Sequence, residues 1–305
     1  MTFSWLLSVA QGLLLLLAAP ALLGWLDWCK AYLTGRRRPL AYLLQPYRDL
    51  RKLLRVPPTH SLATSSIFRL TPGIVFVVYG CLLFILPVFT APLLQADLVL
   101  ILYLLGLARF TFSLAGLDSA SAFGGLGSSR EMFFHFLTEI SLFALIAAMS
   151  LWSDGSVVGQ AQAQPMSLFR FVALLVLVSA FFPVLLLEAR RLPVDNPDTH
   201  LELTMAGKAV ELEFSGRDLA LIGWAETSKL VFLLVLWAQL WSALVGNAPG
   251  WLLLVRTLGL PAGAVLLALW EWRTPKLRLG QVSSIAQGSL FLSLFAILLR
   301  LIPGG

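Results

Sequence analysis

Long apolar runs dominate the chain, broken by shorter polar segments. A bilayer core about 30 Å thick needs roughly 20 helical residues at about 1.5 Å each. Eight stretches reach that length, at about 3–28, 73–95, 98–117, 132–152, 167–188, 218–245, 249–271 and 282–302. Trp5, Trp28, Trp152, Trp251 and Trp272 stand near the ends of these runs, where an amphipathic ring suits the boundary between lipid and water. No internal repeat is visible, so the inverted-repeat plan of many secondary transporters has no support. The pattern predicts an all-α, polytopic integral membrane protein of about eight transmembrane helices, a single transmembrane domain over residues 1–305.

Composition turns this expectation into exclusions. Hydrophobic residues make up 58% of the chain and charged ones 12%, about half the charge of a soluble domain. That excludes a cytosolic enzyme, a nucleic-acid binder and a disordered chain. Two cysteines, Cys29 and Cys81, are too few to hold an iron–sulfur cluster alone, so any redox cofactor is expected on a partner. The net charge of +6 is informative by position. Eighteen of the 22 basic residues fall in or beside four segments, about 29–72, 118–131, 189–217 and 272–281, counting Arg109 with the second. Segments 153–166 and 246–249 carry none. Positive loops stay in the cytoplasm, which puts both termini on the periplasmic or outer side of the inner membrane. The first run has no basic stretch before it and many positive charges after it, which fits an uncleaved span rather than a signal peptide.

Three of the basic segments carry further information. From Gln45 to Leu54, Leu50, Leu53 and Leu54 recur at helical spacing opposite Arg48, Arg51, Lys52 and Arg55, predicting an amphipathic helix at the membrane surface. Such a helix either contacts anionic lipid or offers a docking face to a soluble subunit. The second segment, AGLDSASAFGGLGSSRE, holds four glycines and four serines and reads as an irregular loop that needs a covering neighbour. Asp118, Arg130 and Glu131 are its polar fixtures. The third carries Glu188, Asp195, Asp198, Glu202, Glu211, Glu213 and Asp218, seven of the 16 acids. Thr199 and Glu202 have capping-box spacing and predict the start of a short helix. Crowded carboxylates raise one another's proton affinity, which suits passing protons. His200 with Asp195 and Asp198 could instead hold a metal.

Ionisable residues also stand inside the apolar runs, where a charge costs about 2.5–3.5 kcal/mol or more. Glu139 lies in the fourth run with His135 one turn away, and no cation is evident nearby, so a titrating role is expected. Glu226 and Lys229 are three apart and positioned to pair, as a structural ion pair or as part of a relay.

At these loops the sequence resembles the subunit 1 family of respiratory complex I, in the branch that includes formate hydrogenlyase and membrane-bound hydrogenases. GLDSASAFGGLGSSRE is similar to the hydrogenase-branch loop GLDTGSPFxxxGASRE. RRRPLAYLLQPYRDLRKLL is similar to RRGPxxLQxYRDxxKLL, with Arg38 at a usual glycine and an extra residue before Gln45. EARRLPVDNP followed by ELEFSG resembles E-x-x-R-x-P-F-D and E-Y-S-G, with Val194 and Phe214 at aromatic positions. The resemblance spans nearly the whole chain and implies a non-catalytic membrane anchor for a redox arm, coupling electron transfer to proton or sodium movement. It implies relay roles for Glu139, Glu188, Asp195, Glu213 and Glu226, which Glu202, Glu211 and Lys229 extend on chemical grounds. It implies that Arg36, Arg37, Arg38, Gln45, Arg48, Asp49 and Lys52 face the arm, joined by Asp118 and Arg130. The expected partners are membrane lipid, peripheral hydrogenase-like and iron–sulfur subunits, and antiporter-like membrane subunits. Nickel–iron and iron–sulfur centres are then expected on those partners and none on this chain alone. A quinone is the one small molecule the resemblance allows here, as in an NADH:quinone oxidoreductase. A stand-alone ion-coupled transporter is the reading from a different class.

Overall fold

The computed structural model describes residues 2–89, 93, 97–153, 167–195, 205–245, 249–277 and 279–301. Its helices run α1 (Thr2–Leu33), α2 (Gln45–Arg55), α3 (Ser66–Ile85), α4 (Leu98–Asp118), α5 (Ala122–Ser153), α6 (Leu168–Glu188), α7 (Gly207–Glu211), α8 (Gly216–Val245), α9 (Pro249–Arg273) and α10 (Leu279–Leu301). A 3-10 turn at Leu40–Leu44 precedes α2. Among the described residues, all of these helices but α2 and α7 are long and apolar enough to cross a membrane, which gives the eight expected spans. Among the described residues there is no strand.

Helix α8 is the most buried span and forms the centre, with α1, α2, α3, α6 and α9 packed around it. Its residues Phe232, Leu234 and Val235 interlock with Phe181, Val184 and Leu185 of α6 and with Leu82 and Leu83 of α3 in one buried cluster. Lipid tails are as apolar as leucine, so burial alone does not drive helices together in a bilayer; close packing and interhelical hydrogen bonds do. Trp237 Nε1 of α8 donates to Val178 O of α6 at 3.1 Å, and Trp224 Nε1 donates to Leu16 O of α1 at 2.9 Å. Trp152 Nε1 of α5 donates to Ala296 O of α10 at 3.0 Å, and Ser289 Oγ of α10 donates to Ala180 O of α6 at 2.8 Å. Pro20, Pro72, Pro183 and Pro261 sit inside spans; at Pro20 the freed carbonyl is Leu16 O, which the Trp224 indole of α8 satisfies.

The amphipathic helix forms where its periodicity places it. Leu50 and Leu53 of α2 turn inward towards α1 and α8, and Arg48, Arg51, Lys52 and Arg55 stay exposed. Leu54, expected on the apolar face, faces outward. Tyr47 Oη donates to Leu17 O of α1, Arg217 Nε donates to Leu54 O at 3.1 Å, and Thr59 N donates to Ser215 Oγ at 2.8 Å, which fixes both ends of α2 against the bundle.

The second basic segment corrects the sequence reading. Only 119–121 is a turn; from Ala122 onward the glycine- and serine-rich stretch is the first part of α5. Ser121 Oγ accepts from Gly124 N at 2.7 Å and starts the helix. The small residues serve close packing rather than irregular backbone. A Cβ on Gly127 would stand 2.7 Å from Ala209 Cβ and 3.2 Å from Ala206 O, and one on Gly116 would stand 3.0 Å from Val210. The covering neighbour is therefore α7 and its approach, in the third basic segment. Gly127→Val should push α7 away at a cost of about 1–3 kcal/mol of overpacking. A lowered thermal midpoint of the purified protein measures this, and an unchanged midpoint would contradict the close packing. The second span also differs from expectation in its bounds: α3 starts at Ser66 and ends at Ile85, and Ser65 and Asp118 cap its first turn.

Candidate functional site

The buried charge converges on the segment that follows α6. Helix α6 closes with Arg191 N donating to Leu186 O at 3.0 Å and Arg190 N donating to Leu187 O at 3.3 Å, the paired bonds of a Schellman motif. The position that usually holds glycine is Arg190, with φ of 50°, a left-handed conformation costing about 1–2 kcal/mol for an ordinary residue. That turn sends Arg190 back into the bundle, where its guanidinium contacts Glu131 of α5, lies 3.6 Å from Glu226 of α8 and covers the Phe112 ring at 4.8 Å. Burial opposes its charge, but Glu131 and then Glu226 outweigh burial, so its pKa stands above the ordinary guanidinium value.

Each end of this unit carries another base. His135 Nε2 is 3.0 Å from Glu131, and Lys229 Nζ is 2.7 Å from Glu226 and 5.1 Å from the Tyr79 ring centre. The order is His135, Glu131, Arg190, Glu226, Lys229, with base and acid alternating. Beside it, Arg109 Nη1 of α4 donates to Glu188 Oε1 of α6 at 2.7 Å, both groups fully buried. Tyr79, 1% exposed, packs beside the Glu226–Lys229 end of the alternating charges. Arg109 Nη2 and Glu188 Oε2 are buried without a hydrogen-bond partner. Buried polar groups are nearly always satisfied, and where no protein group does so ordered water is the usual partner.

Glu139 is the exception to burial. It lies on α5 two turns beyond Glu131, exposed on the outer face of the chain, and no ion-pair partner for it is found among the described residues. His135, expected to accompany it, pairs with Glu131 instead. A Cβ on Gly106 would stand 3.8 Å from Glu139 Oε1 and 4.0 Å from Arg109 Nη2. The absent side chain at Gly106 thus leaves a gap between the exposed acid and the unbonded arm of Arg109.

The other expected relay residues are brought to the same end of the bundle. Asp195 lies 2.6 Å from Lys276, Glu211 pairs with Lys208, and Ser121 Oγ donates to Glu213. Glu202 lies outside the described residues, as do Asp198, Thr199 and His200. A cavity of about 280 Å³ is lined by Arg190, Asp195, Glu211, Glu226 and Asp27. A second, of about 310 Å³, shares Asp27, Lys208 and Glu211 and runs beneath α2, against Pro20, Leu50 and Leu53. The two together lead from the amphipathic helix to the alternating charges.

The expected docking residues separate. Arg36, Arg37, Arg48, Asp49 and Lys52 are exposed, Arg38 and Gln45 are half-buried, and Gln45 Nε2 donates to Asp49 at 2.9 Å. Asp118 acts locally instead: its Oδ2 accepts from Ser65 N, Ser65 Oγ and Phe68 N at 2.9, 2.8 and 3.1 Å, capping α3. Arg130 Nη1 donates to Met205 O at 2.9 Å and ties α5 to the third basic segment. Arg109, Arg190 and Arg191, which charge counting places with the loops, are structural members of the site. Glu271 escapes the sequence reading altogether; it is buried on α9, paired with Lys30 of α1 and 3.6 Å from Arg191. An acid inside an apolar run is the signal that could have found it. The same holds for Asp27.

Known proteins resemble this chain at two levels, in sequence and in fold. The chain is 31% identical over 293 residues to "Formate hydrogenlyase subunit 4" of Escherichia coli (strain K12), across 90% of this chain and 91% of that protein. It is 30% identical over 241 residues to "Hydrogenase-4 component C" of the same organism, across 76% and 74%. A chain in the solved structure of the membrane-bound sulfane sulfur reductase, an archaeal respiratory membrane complex, shares the fold with a TM-score of 0.76 at 17% identity, across 96% of this chain and 99% of that one. The NADH dehydrogenase family model matches residues 8–301, and with eight spans and near-complete coverage the chain belongs to that family, the subunit 1 family of respiratory complex I.

Proposed function

We propose that this chain is the membrane-anchor subunit of a hydrogenase-type, complex I-like oxidoreductase, coupling electron transfer in a peripheral arm to proton or sodium translocation. In this reading it lies in the cytoplasmic membrane with both termini outside and its basic segments inside. The exposed face of α2, with Arg48, Asp49 and Lys52, receives the arm, and Arg37 supports it. Nickel–iron and iron–sulfur centres belong to partner subunits, and an antiporter-like membrane subunit covers Glu139.

The observation that carries the reading is Arg190 held between two acids. A guanidinium shared by Glu131 and Glu226 makes their proton affinities interdependent: protonating one frees the cation for the other. A charge change transmitted from the arm through Glu211 and Asp195 would bias that sharing, and Tyr79 and the Arg109–Glu188 pair carry the bias towards Glu139. Ion pairs that merely staple helices would not need a base common to two acids, a polar cavity at one end and an unpartnered carboxylate at the other. Gentle detergent extraction tests the assignment. Co-purification with nickel–iron and iron–sulfur subunits is expected, and a lone chain active as a carrier in liposomes would overturn it.

The cavity beneath α2 favours a second reading, a quinone-binding subunit of an NADH:quinone oxidoreductase, because its apolar wall at Pro20, Leu50 and Leu53 meets polar Asp49 and Glu211. Leu53→Trp separates the two. The larger ring occupies the cavity, so redox turnover of the intact complex should stay within about twofold of wild type in the anchor reading and should fall more than tenfold if a quinone must enter. Each tenfold corresponds to about 1.4 kcal/mol in the barrier.

A further inference from the structure

A third cavity, of about 530 Å³, opens between the C-terminal ends of α1 and α9 and the 3-10 turn at Leu40–Leu44. It borders the other two cavities at Asp27 and the one beneath α2 also at Tyr42, and its basic rim belongs to neither. Its cations are Lys30, Arg36 and Arg38, and its aromatic walls are Tyr42 and Trp272. We propose that this cavity binds the phosphate headgroup of an anionic phospholipid.

The charge balance of the cavity is positive. Two acids, Asp27 and Glu271, also line it. Glu271 is neutralised by Lys30 and by Arg191 at 3.6 Å, which leaves Asp27 as the one other acid against two arginines. Arg36 and Arg38 remain as the cations at the rim. The segment 36–39 lies outside the helices, and Arg36 and Arg38 line the cavity whereas Arg37 between them does not. The three arginines therefore have two destinations, the outer two the cavity and the middle one the exposed face.

The site is built rather than incidental. The Arg38 guanidinium lies over the Tyr42 ring at 4.0 Å, and Trp28 Nε1 donates to Arg38 O at 3.2 Å. Trp28 is itself stacked between Trp25 and Tyr32, with ring centres 5.6 and 5.9 Å apart. A guanidinium oriented by stacking offers its planar fork to phosphate oxygens, a geometry that ammonium groups lack. Indole and phenol rings with one apolar and one polar side suit the headgroup level of a bilayer. Helix α9, which brings Trp272 to the cavity, is the least buried of the spans and exposes Leu266 and Leu269, an apolar surface on the same helix that suits acyl chains. Basic pockets between spans on the cytoplasmic side have this chemistry. A free phosphate ion would match the arginines but not the apolar surface.

Native mass spectrometry of the intact complex, delipidated stepwise and then titrated with phosphatidylglycerol, tests the site. At roughly fivefold per basic charge near a membrane surface, the double variant Arg36→Gln/Arg38→Gln should weaken retention of one phosphatidylglycerol per complex about thirtyfold. Arg37→Gln should leave it unchanged. Equal retention in the double variant and wild type would overturn the proposal, and so would loss of the lipid on adding inorganic phosphate at millimolar concentration, which would make it a free-phosphate site. Should the double variant fail to assemble, the wild-type complex still decides. A phosphatidylglycerol with a photoreactive headgroup should label the segment holding Arg36, Arg38 and Tyr42 or the one holding Trp272, and the same probe on phosphatidylcholine should not. Equal labelling by both lipids, or by neither, would refute an anionic headgroup site.

Discussion

Glu139→Gln should abolish ion translocation while leaving the complex assembled and its redox chemistry running. Glutamine keeps the volume and hydrogen-bonding reach of the carboxylate but cannot release a proton. Because Glu139 is exposed on the isolated chain and no ion-pair partner for it is found among the described residues, its loss removes no internal ion pair and should cost the fold little. A carboxylate facing hydrocarbon costs about 2.5–3.5 kcal/mol, so its position is tenable only against water or a polar group of a neighbouring subunit. Ions moved per redox turnover, followed in liposomes with an electron donor, should fall at least tenfold. Normal translocation by the variant would remove Glu139 from the relay. Gly106→Leu supplies the complementary test: it keeps the acid but fills the gap through which Glu139 Oε1 and Arg109 Nη2 approach the same point, at 3.8 and 4.0 Å. Translocation should fall in that variant as well, since an isobutyl group there excludes the water that would satisfy Arg109.

The spans are legible because their signal is length and apolarity, which need no partner to be recognised, and α2 is legible because its leucines and arginines separate at a period of 3.6. The start of α5 is not. Glycine and serine have low helix propensity, and the gain that offsets it lies in α7, some 80 residues downstream in sequence. The same distinction governs the site. Glu226–Lys229 is local and can be read directly, whereas Arg109–Glu188 is separated by 79 positions and no periodicity connects them. His135 falls with Glu139 on spacing because four residues make one helical turn, but the same spacing also fits Glu131, and only the burial of Glu131 decides between them. Counting positive charges assigns Arg190 and Arg191 to a solvated loop. The left-handed φ at Arg190 redirects that side chain inward, and a backbone conformation rare for arginine has no signature in composition. Function explains the failure in physical terms: residues placed against their ordinary preference, a glycine-rich helix start and an arginine cap, lie where charged groups must be packed tightly.

Arg190→Met should impair the protein more than the loss of any other single charge in the bundle. Methionine matches much of the side-chain volume and preserves contact with Phe112, so the loss isolates the charge. Among the described residues, Glu131, 1% exposed, would keep His135 as its ion-pair partner, and Glu226 would keep Lys229. Removing one member of a buried ion pair costs about 3–5 kcal/mol because the other is left uncompensated, and here one substitution affects two acids. The expected result is a sharp fall in the amount of assembled complex and in its thermal midpoint. Combining Arg190→Met with Glu131→Gln should recover part of the loss, since the acid most dependent on the guanidinium becomes neutral, and a coupling energy of at least about 1 kcal/mol between the two sites is expected. Arg190→Lys should assemble better than Arg190→Met yet translocate ions poorly, because a single ammonium cannot reach as a planar fork to both acids. Wild-type assembly and translocation by Arg190→Met would show that Glu131 and Glu226 do not share a base, and the alternating arrangement would then be a set of independent helix contacts.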